Sequence, residues 1–341
     1  MRSKATYLCV AALTLLTAAC GGSRGSKPVI GFLLGTLRED RWVRDGDFFV
    51  AEAQSLGADV IAQSANNDDA TQLAQAEDLL KRGVDVLVIV PTSAQAALAV
   101  VEAAHKKNVP VVAYERMILQ SDVDMYVATN ALKIGELQAK YLVDRAPRGN
   151  YVIIGGAPND NNSQLLREGQ MRVLKPLIDQ GAIRIVGDEN AADWKPEEAL
   201  RITETALART HNDLAAVLAP NDGTASGAIQ ALGEQQLAGK VLVTGQDADL
   251  AAVQRVVDGT QSMTVYKPLQ RQATEAAKVA VALAKRQGMP RPDTTINNGF
   301  KAVPSILIPP VVVDRDNVRQ TVIADGFLKE GDVYAGHGGK Q

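Results

Sequence analysis

The stretch APNDNNS, residues 157–163, places four amide and carboxylate side chains between the apolar run NYVIIGG and the helix-period segment QLLREGQMRVLKPLI. Three chemistries are open to such a cluster: capping a helix, holding a cation, or hydrogen-bonding a polar ligand. A calcium loop needs alternating oxygen ligands, a central glycine and a closing glutamate. Asp160 and Asn162 fit that alternation, but Gln164 and Leu165 break it, so no metal is expected. Capping and ligand binding stay open. Polar groups also close other apolar runs: Glu115-Arg116 after VVAY, Asn221-Asp222 after LAAVLAP, Asp247 and Asp249 after KVLVTG, and Lys267 after SMTVY. Any one of these reads equally well as a cap or a surface ion pair. Their recurrence at successive strand ends favours a shared ligand.

Two tryptophans stand in similar company, Trp42 in REDRWVRDGD and Trp194 in NAADWKPEE. Neither neighbourhood has the apolar spacing of a core segment, although a ring can still tuck under a helix. Flat apolar faces beside charged hydrogen-bonding groups suit a sugar ring, whose C–H faces stack while its hydroxyls require fixed donors and acceptors. Enzyme constellations are missing. His105, His211 and His337 all lie in polar segments, and there is no G-x-S-x-G, H-E-x-x-H, P-loop or G-x-G-x-x-G motif. No catalytic residue and no cofactor are expected.

These groups are carried by alternating elements. Short β-branched runs at 28–35, 59–64, 84–90, 109–114, 124–129, 151–156, 183–188, 214–220, 240–245 and 262–267 are separated mostly by helix-period segments such as DATQLAQAEDLLKRG. That alternation predicts an α/β fold of parallel sheets covered on both faces. Ten strands exceed one ordinary doubly wound sheet, so two Rossmann-like lobes are expected, with the amphipathic segment 269–287 as a helix that could return to the first. The expected division is 27–129 plus about 268–304 for the N-terminal lobe and 130–267 plus about 305–330 for the C-terminal lobe. Residues 331–341 are expected to form a flexible tail. Open α/β sheets bind ligands beyond the carboxyl ends of their strands, where the polar clusters fall.

The first 26 residues are set apart. MRSK is basic, YLCVAALTLLTAA is apolar and too short to span a bilayer, and Cys20 precedes the tether GGSRGS. This reads as a signal peptide ending in a lipobox-like junction, despite Thr17 at the usual leucine position. Export to the periplasm or cell surface is expected, with a lipid on Cys20 as the only membrane attachment and ordinary signal cleavage nearby as the alternative. Cleavage there removes Cys9 and leaves no disulfide. The 341-residue chain is 46% hydrophobic but only 4% aromatic, with a formal net charge of -3 and no basic stripe, which argues against a nucleic-acid partner.

The runs LREDRWVRD, SLGADVIAQSANND, RGVDVLVIVP, AYERM, GELQAKYLVD, GAPNDNNSQLLREGQMRVLKPLID and ASGAIQALGEQQLAGKVLVTGQDADLAAVQRVVDGTQSMTVYKP resemble the D-xylose-binding proteins, periplasmic substrate-binding components of sugar ABC transporters. The likeness extends from about Val29 to Lys329. It implies a type I periplasmic binding fold with three crossing segments and a sugar in the cleft. Its implied sugar ligands are Arg41, Trp42, Glu115, Arg116, Asp160, Asn162, Trp194, Asn221, Asp247 and Lys267, with the two rings flanking a pyranose. Asn161 or Ser163 is then left to cap the following helix. The family usually has Asp at the position of Glu115, whose extra methylene is expected to reach further into the pocket. Asn130-Ala131 replaces a common Asp-Asn pair, which bears on the hinge. Three cations and three anions balance in this implied pocket, as suits a neutral polyol. The implied role is a monomeric receptor delivering D-xylose or a close relative to an ABC permease. A sugar receptor coupled to a sensor kinase is the alternative.

Overall fold

The computed structural model describes residues 27–335. The signal peptide, the Cys20 junction, the tether and residues 336–341, His337 among them, lie outside the described residues.

From the first described residues the chain alternates strand and helix: β1 (Val29–Leu34), α1 (Asp40–Ser55), β2 (Asp59–Ser64), α2 (Asp69–Lys81), β3 (Val86–Ile89), α3 (Leu98–His105), β4 (Val111–Tyr114) and β5 (Met125–Thr129). The second stretch runs through α4 (Ala131–Arg145), β6 (Gly149–Gly155), α5 (Asn161–Asp179), β7 (Ile183–Asn190), α6 (Pro196–Thr210), β8 (Ala216–Leu218), α7 (Asp222–Glu234), β9 (Leu242–Val243), α8 (Leu250–Asp258) and β10 (Thr264–Tyr266). The chain then returns through α9 (Leu269–Ala284), β11 (Thr294–Asn297) and β12 (Ala302–Ile308), and closes with β13 (Val311–Val313) and α10 (Glu330–Val333). Each of the ten expected strand segments carries a strand.

The first sheet has the order β11-β12-β5-β4-β3-β1-β2 and is parallel except for the antiparallel edge strand β11. The second has the order β7-β6-β8-β9, all parallel, and β10 and β13 form a separate antiparallel ribbon. Strands such as β3 (VLVI) and β4 (VVAY) are buried along their whole length because helices cover both sheet faces. α9 does return to the first lobe. Its Ala273, Ala276, Ala277 and Ala280 pack with Phe49 and Ala53 of α1 in one core. Small residues let the helices approach closely where the chain has few aromatic rings to fill a gap. In the second lobe α4 and α5 meet backbone to backbone, since a Cβ on Gly135 would lie 2.1 Å from the Leu166 carbonyl oxygen.

Two boundaries differ from expectation. The first lobe extends to Ile308 rather than about 304, because Ser305–Ile308 pair in register with Tyr126–Thr129. Pro304 disguised this strand, but its missing N–H falls before pairing with β5 begins. The tail is ordered further than residue 330, since Val333 is fully buried against Val318, Val322 and Leu328. Three crossings therefore join the lobes: Thr129 to Ala131, Tyr266 to Leu269, and Ile308 to Val311. Asn130 caps α4 at the first, its Oδ1 accepting from Lys133 N at 3.0 Å, and its own N–H donates to Ile308 O at the third.

Candidate ligand-binding site

Each expected site residue lies just past the carboxyl end of a strand. Arg41 and Trp42 occupy the first turn of α1 after β1, and Glu115 and Arg116 follow β4. Asp160 and Asn162 open α5 after β6, Trp194 follows β7, Asn221 follows β8, Asp247 follows β9 and Lys267 follows β10. All ten border one interlobe cavity, with Glu39 and Gln246 completing its wall. About 360 Å³ there is free of protein atoms, the solvent-facing mouth included. Glu39 and Gln246 were missed although Gln246 adjoins Asp247 and Glu39 lies two residues before Arg41. With Glu39 the lining carries one more acid than base, so the expected neutrality becomes a slight negative balance that disfavours an anionic ligand.

The floor of the cavity is an ion-pair network spanning both lobes. Arg41 Nη1 donates to Glu115 Oε1 at 3.0 Å and to Asp247 Oδ1 at 3.2 Å, while Nε and Nη2 both reach Asp45 Oδ2. Lys267 Nζ lies 2.9 Å from Glu115 Oε1 and 2.8 Å from Asp247 Oδ1. Arg41, Glu115, Asp247 and Lys267 are all buried. Burial pushes the Glu115 carboxyl up, but Arg41 and Lys267 outweigh it and bring its pKa down to about 2. Behind the floor, Tyr114 donates to Asp45, and Gln272 Nε2 donates to Glu115 Oε2 at 2.9 Å. The Glu115 carboxylate, while bordering the cavity, thus reaches Gln272 on α9 with one of its oxygens.

Backbone conformation aims several of these groups. Glu115 (φ 62°), Asp193 (φ 52°), Trp194 (φ 59°) and Asp247 (φ 101°) are non-glycine residues in the left-handed region, a cost of order 1–3 kcal/mol each that concentrates at ligand sites. The Trp194 ring lies directly on Gly156, where a Cβ would fall 2.2 Å from the ring. Only glycine permits that approach.

The stretch 157–163 resolves its own question differently from expectation. Asp160 is the cap of α5, its Oδ1 accepting from Asn162 N at 2.9 Å, while Oδ2 pairs with Arg116 Nε at 2.8 Å. Neither Asn161 nor Ser163 caps the helix, because the residue before the first helical turn is Asp160, with extended backbone. Asn162 Nδ2 bridges the lobes to Glu115 O at 3.0 Å, which leaves Oδ1 buried and without a hydrogen bond. Trp194 Nε1 is buried and unpartnered as well. Asn221 Oδ1 is occupied by the capping box of α7, accepting from Thr224 N at 2.9 Å. Trp42 is more enclosed than its polar neighbourhood implied. It is 4% exposed, joins the first-lobe core, and donates from Nε1 to Glu39 Oε2 at 2.8 Å.

Below the second-lobe wall, the buried Asp222 carboxylate accepts from Gln261 Nε2, Thr264 Oγ1 and Asp249 N, tying the loop after β8 to the loop after β9. Burial and the neighbouring Asp249 and Asp247 push the Asp222 carboxyl well up. Burial, Asp247 and Asp40 of the facing lobe push Asp249 up to about 7, against Arg41 and Arg255. Among the described residues no group of three or more His, Cys, Asp or Glu is placed to hold a metal ion.

A two-lobed parallel fold with a polar, ring-walled interlobe cavity matches a family model described as a Periplasmic binding protein domain over residues 30–288. The chain belongs to the periplasmic binding protein family. Members of this family bind solutes, and the chain is not an enzyme. It is 49% identical over 333 residues to the D-xylose-binding periplasmic protein of Escherichia coli K12, covering 98% of this chain and all of that one. It is 31% identical to the multiple sugar-binding periplasmic receptor ChvE of Rhizobium radiobacter, over 96% of this chain and 99% of the relative. A carbohydrate transporter solute binding protein from Chloroflexus aurantiacus, solved in complex with D-glucose, superposes with a TM-score of 0.85 at 34% identity, covering 90% of this chain and 98% of that structure.

Proposed function

We propose that this periplasmic binding protein is a receptor for D-xylose or a closely related pyranose, which it holds between its lobes and delivers to an ABC permease. The observation that carries the reading is the pair of unpartnered buried groups, the acceptor Asn162 Oδ1 and the donor Trp194 Nε1, on residues that wall the same cavity. A buried polar atom without a partner costs about 1–3 kcal/mol, and a polyhydroxylated ring supplies both a donor and an acceptor. Arg41, Glu115, Arg116, Asp160, Asn221, Asp247 and Lys267 would meet the hydroxyls, directly or by holding their neighbours, while Trp42 and Trp194 cover the ring faces. The names of the Escherichia coli and Chloroflexus aurantiacus relatives point to the same ligand class. Micromolar affinity corresponds to about -8 kcal/mol, within reach of a few charge-assisted hydrogen bonds after the costs of closure. A misplaced hydroxyl leaves buried groups unpaired, which gives discrimination among epimers.

Closure supplies the signal read by the permease. Arg38 Nη1 to Asp193 O (2.7 Å) and Ala94 N to Asn159 O (3.3 Å) join the lobes at the rim, so the shut form has contacts that the parted lobes lack. The receptor acts as a monomer, attached to the membrane through a lipid on Cys20. Replacement of Cys20 by Ala should release it into the soluble fraction, and continued membrane retention would count against the anchor.

The test is a tryptophan fluorescence titration with D-xylose, run beside D-glucose, L-arabinose and D-ribose and confirmed by calorimetry. Saturable binding of xylose in the micromolar range is expected. Saturation by another of the four instead would keep the receptor and change its sugar. No binding of any sugar by either method would overturn the reading.

A further inference from the structure

Gln272 lies in the first turn of α9, just past the second crossing, and Thr129 is the last residue of β5, at the first crossing. Both are buried. Thr129 Oγ1 donates to Gln272 Oε1 at 2.7 Å, and Gln272 Nε2 donates to Glu115 Oε2 at 2.9 Å. The order of this chain is fixed chemically. An ionised carboxylate only accepts, so the amide must present its NH₂ to Glu115 and its oxygen to the threonine hydroxyl. Glu115 Oε1 already accepts from Arg41 and Lys267, and the adjoining carbonyl Glu115 O accepts from Tyr126 Oη and Asn162 Nδ2. Glu115 is thereby held from the sheet, from α9, and from both sides of the cleft. A carboxylate one methylene shorter that stays on the two cations would stop short of the amide.

We propose, on the basis of the sugar-binding reading above, that Gln272 is a positioning residue for ligand recognition. Anchored by Thr129, it holds the Glu115 carboxylate back so that Glu115 orients Arg41 and Lys267 toward the sugar and ties the pocket to two of the three crossings. Glu115 and Gln272 then form a matched pair, and the sugar is selected by the cations they orient.

A double-mutant cycle tests this pairing. Gln272→Leu is expected to weaken D-xylose binding about tenfold in the natural background and by less than about twofold in Glu115→Asp, where the pair is already broken. The pH profile gives a readout that packing alone would not move. Glu115 is held near 2 against an ordinary value of 4.5, so its ion pairs are intact above 4.5 and are lost as pH falls toward 2. Without the amide donor its pKa rises, and affinity should collapse at a higher pH than in the parent. Thr129→Val, which removes only the hydroxyl, should shift the acid limb in the same direction by less, and it serves if Gln272→Leu does not fold. Equal losses in both backgrounds with an unmoved acid limb would overturn the proposal. If the parent binds no sugar, the sugar reading fails, and ligand-free acid unfolding then decides the relay: an unchanged midpoint in Thr129→Val would reject it.

Discussion

The two walls of the cleft are held in opposite ways. On the first-lobe side Trp42 has its indole N–H bonded to Glu39, its ring stacked under the Arg41 guanidinium at 4.3 Å, and its body in the lobe core. Across the cleft Trp194 is the second of two successive left-handed residues, after Asp193, rests on the bare backbone of Gly156, and leaves its N–H without an acceptor. The polar side chains facing one another divide similarly. Glu115 accepts three side-chain donors, whereas Asn162 on the opposing wall keeps a bare buried oxygen. One wall is preorganised by protein partners, and the other carries groups that a ligand must complete. A receptor that closes on its ligand needs both kinds of wall, since a fully satisfied cleft would gain nothing from the ligand.

The largest effect should follow from removing the group the two walls share. Arg41→Met leaves Asp45, Glu115 and Asp247 without their common cation, and breaking a buried pair in this way costs about 3–5 kcal/mol. Denaturant unfolding should show that loss, and calorimetry should show sugar affinity reduced by about a hundredfold or more. A variant of parental stability would mean that the network contributes little to holding the floor.

Next comes the contrast between the rings. Trp42→Ala should cost about 3–5 kcal/mol of stability in addition to affinity, because its ring is part of the core. Trp194→Ala should weaken binding by a comparable factor yet lower stability by less than about 1.5 kcal/mol. Trp194→Phe, which keeps a ring and removes the donor, should cost about tenfold in affinity. Equal stability losses for the two alanine variants would erase the distinction between the walls.

A smaller, pH-dependent effect is expected at Asp249. Its folded pKa of about 7 exceeds the ordinary 3.8, so the fold binds more protons than the unfolded chain between those values, and stability falls as pH rises through that window. Asp249 caps α8 without a side-chain hydrogen bond, so Asp249→Asn should remove this slope at no capping cost. Thermal melts at pH 8 should then show a melting temperature raised by about 3 °C, with little change at pH 4. The smallest effect belongs to the rim. Arg38→Ala removes one exposed interlobe hydrogen bond and should change affinity by under about 1 kcal/mol, seen chiefly as faster sugar release in stopped-flow fluorescence.

The sequence alone was enough to determine the alternation of strands and helices, the two lobes, and the strand ends at which polar side chains gather. Those features follow from periodicity and from chain direction, which are local. It could not show that Pro304 sits in a strand, because the tolerance depends on where pairing with β5 begins. Nor could it show that Asp160 rather than a neighbour caps α5, since Asp, Asn and Ser are near-equal caps and the backbone at that residue decides. The charged neighbours of Trp42 give no core spacing, yet a helix's first turn can direct one side chain inward while its neighbours face solvent. Gln272 carried no signal at all. It lies in an ordinary amphipathic helix far along the chain from Glu115, and only the return of α9 to the first lobe brings the two within 2.9 Å. What tertiary structure alone decided is therefore which polar groups satisfy one another and which are left for a ligand, because hydrogen-bond satisfaction depends on positions that the chain brings together only when folded.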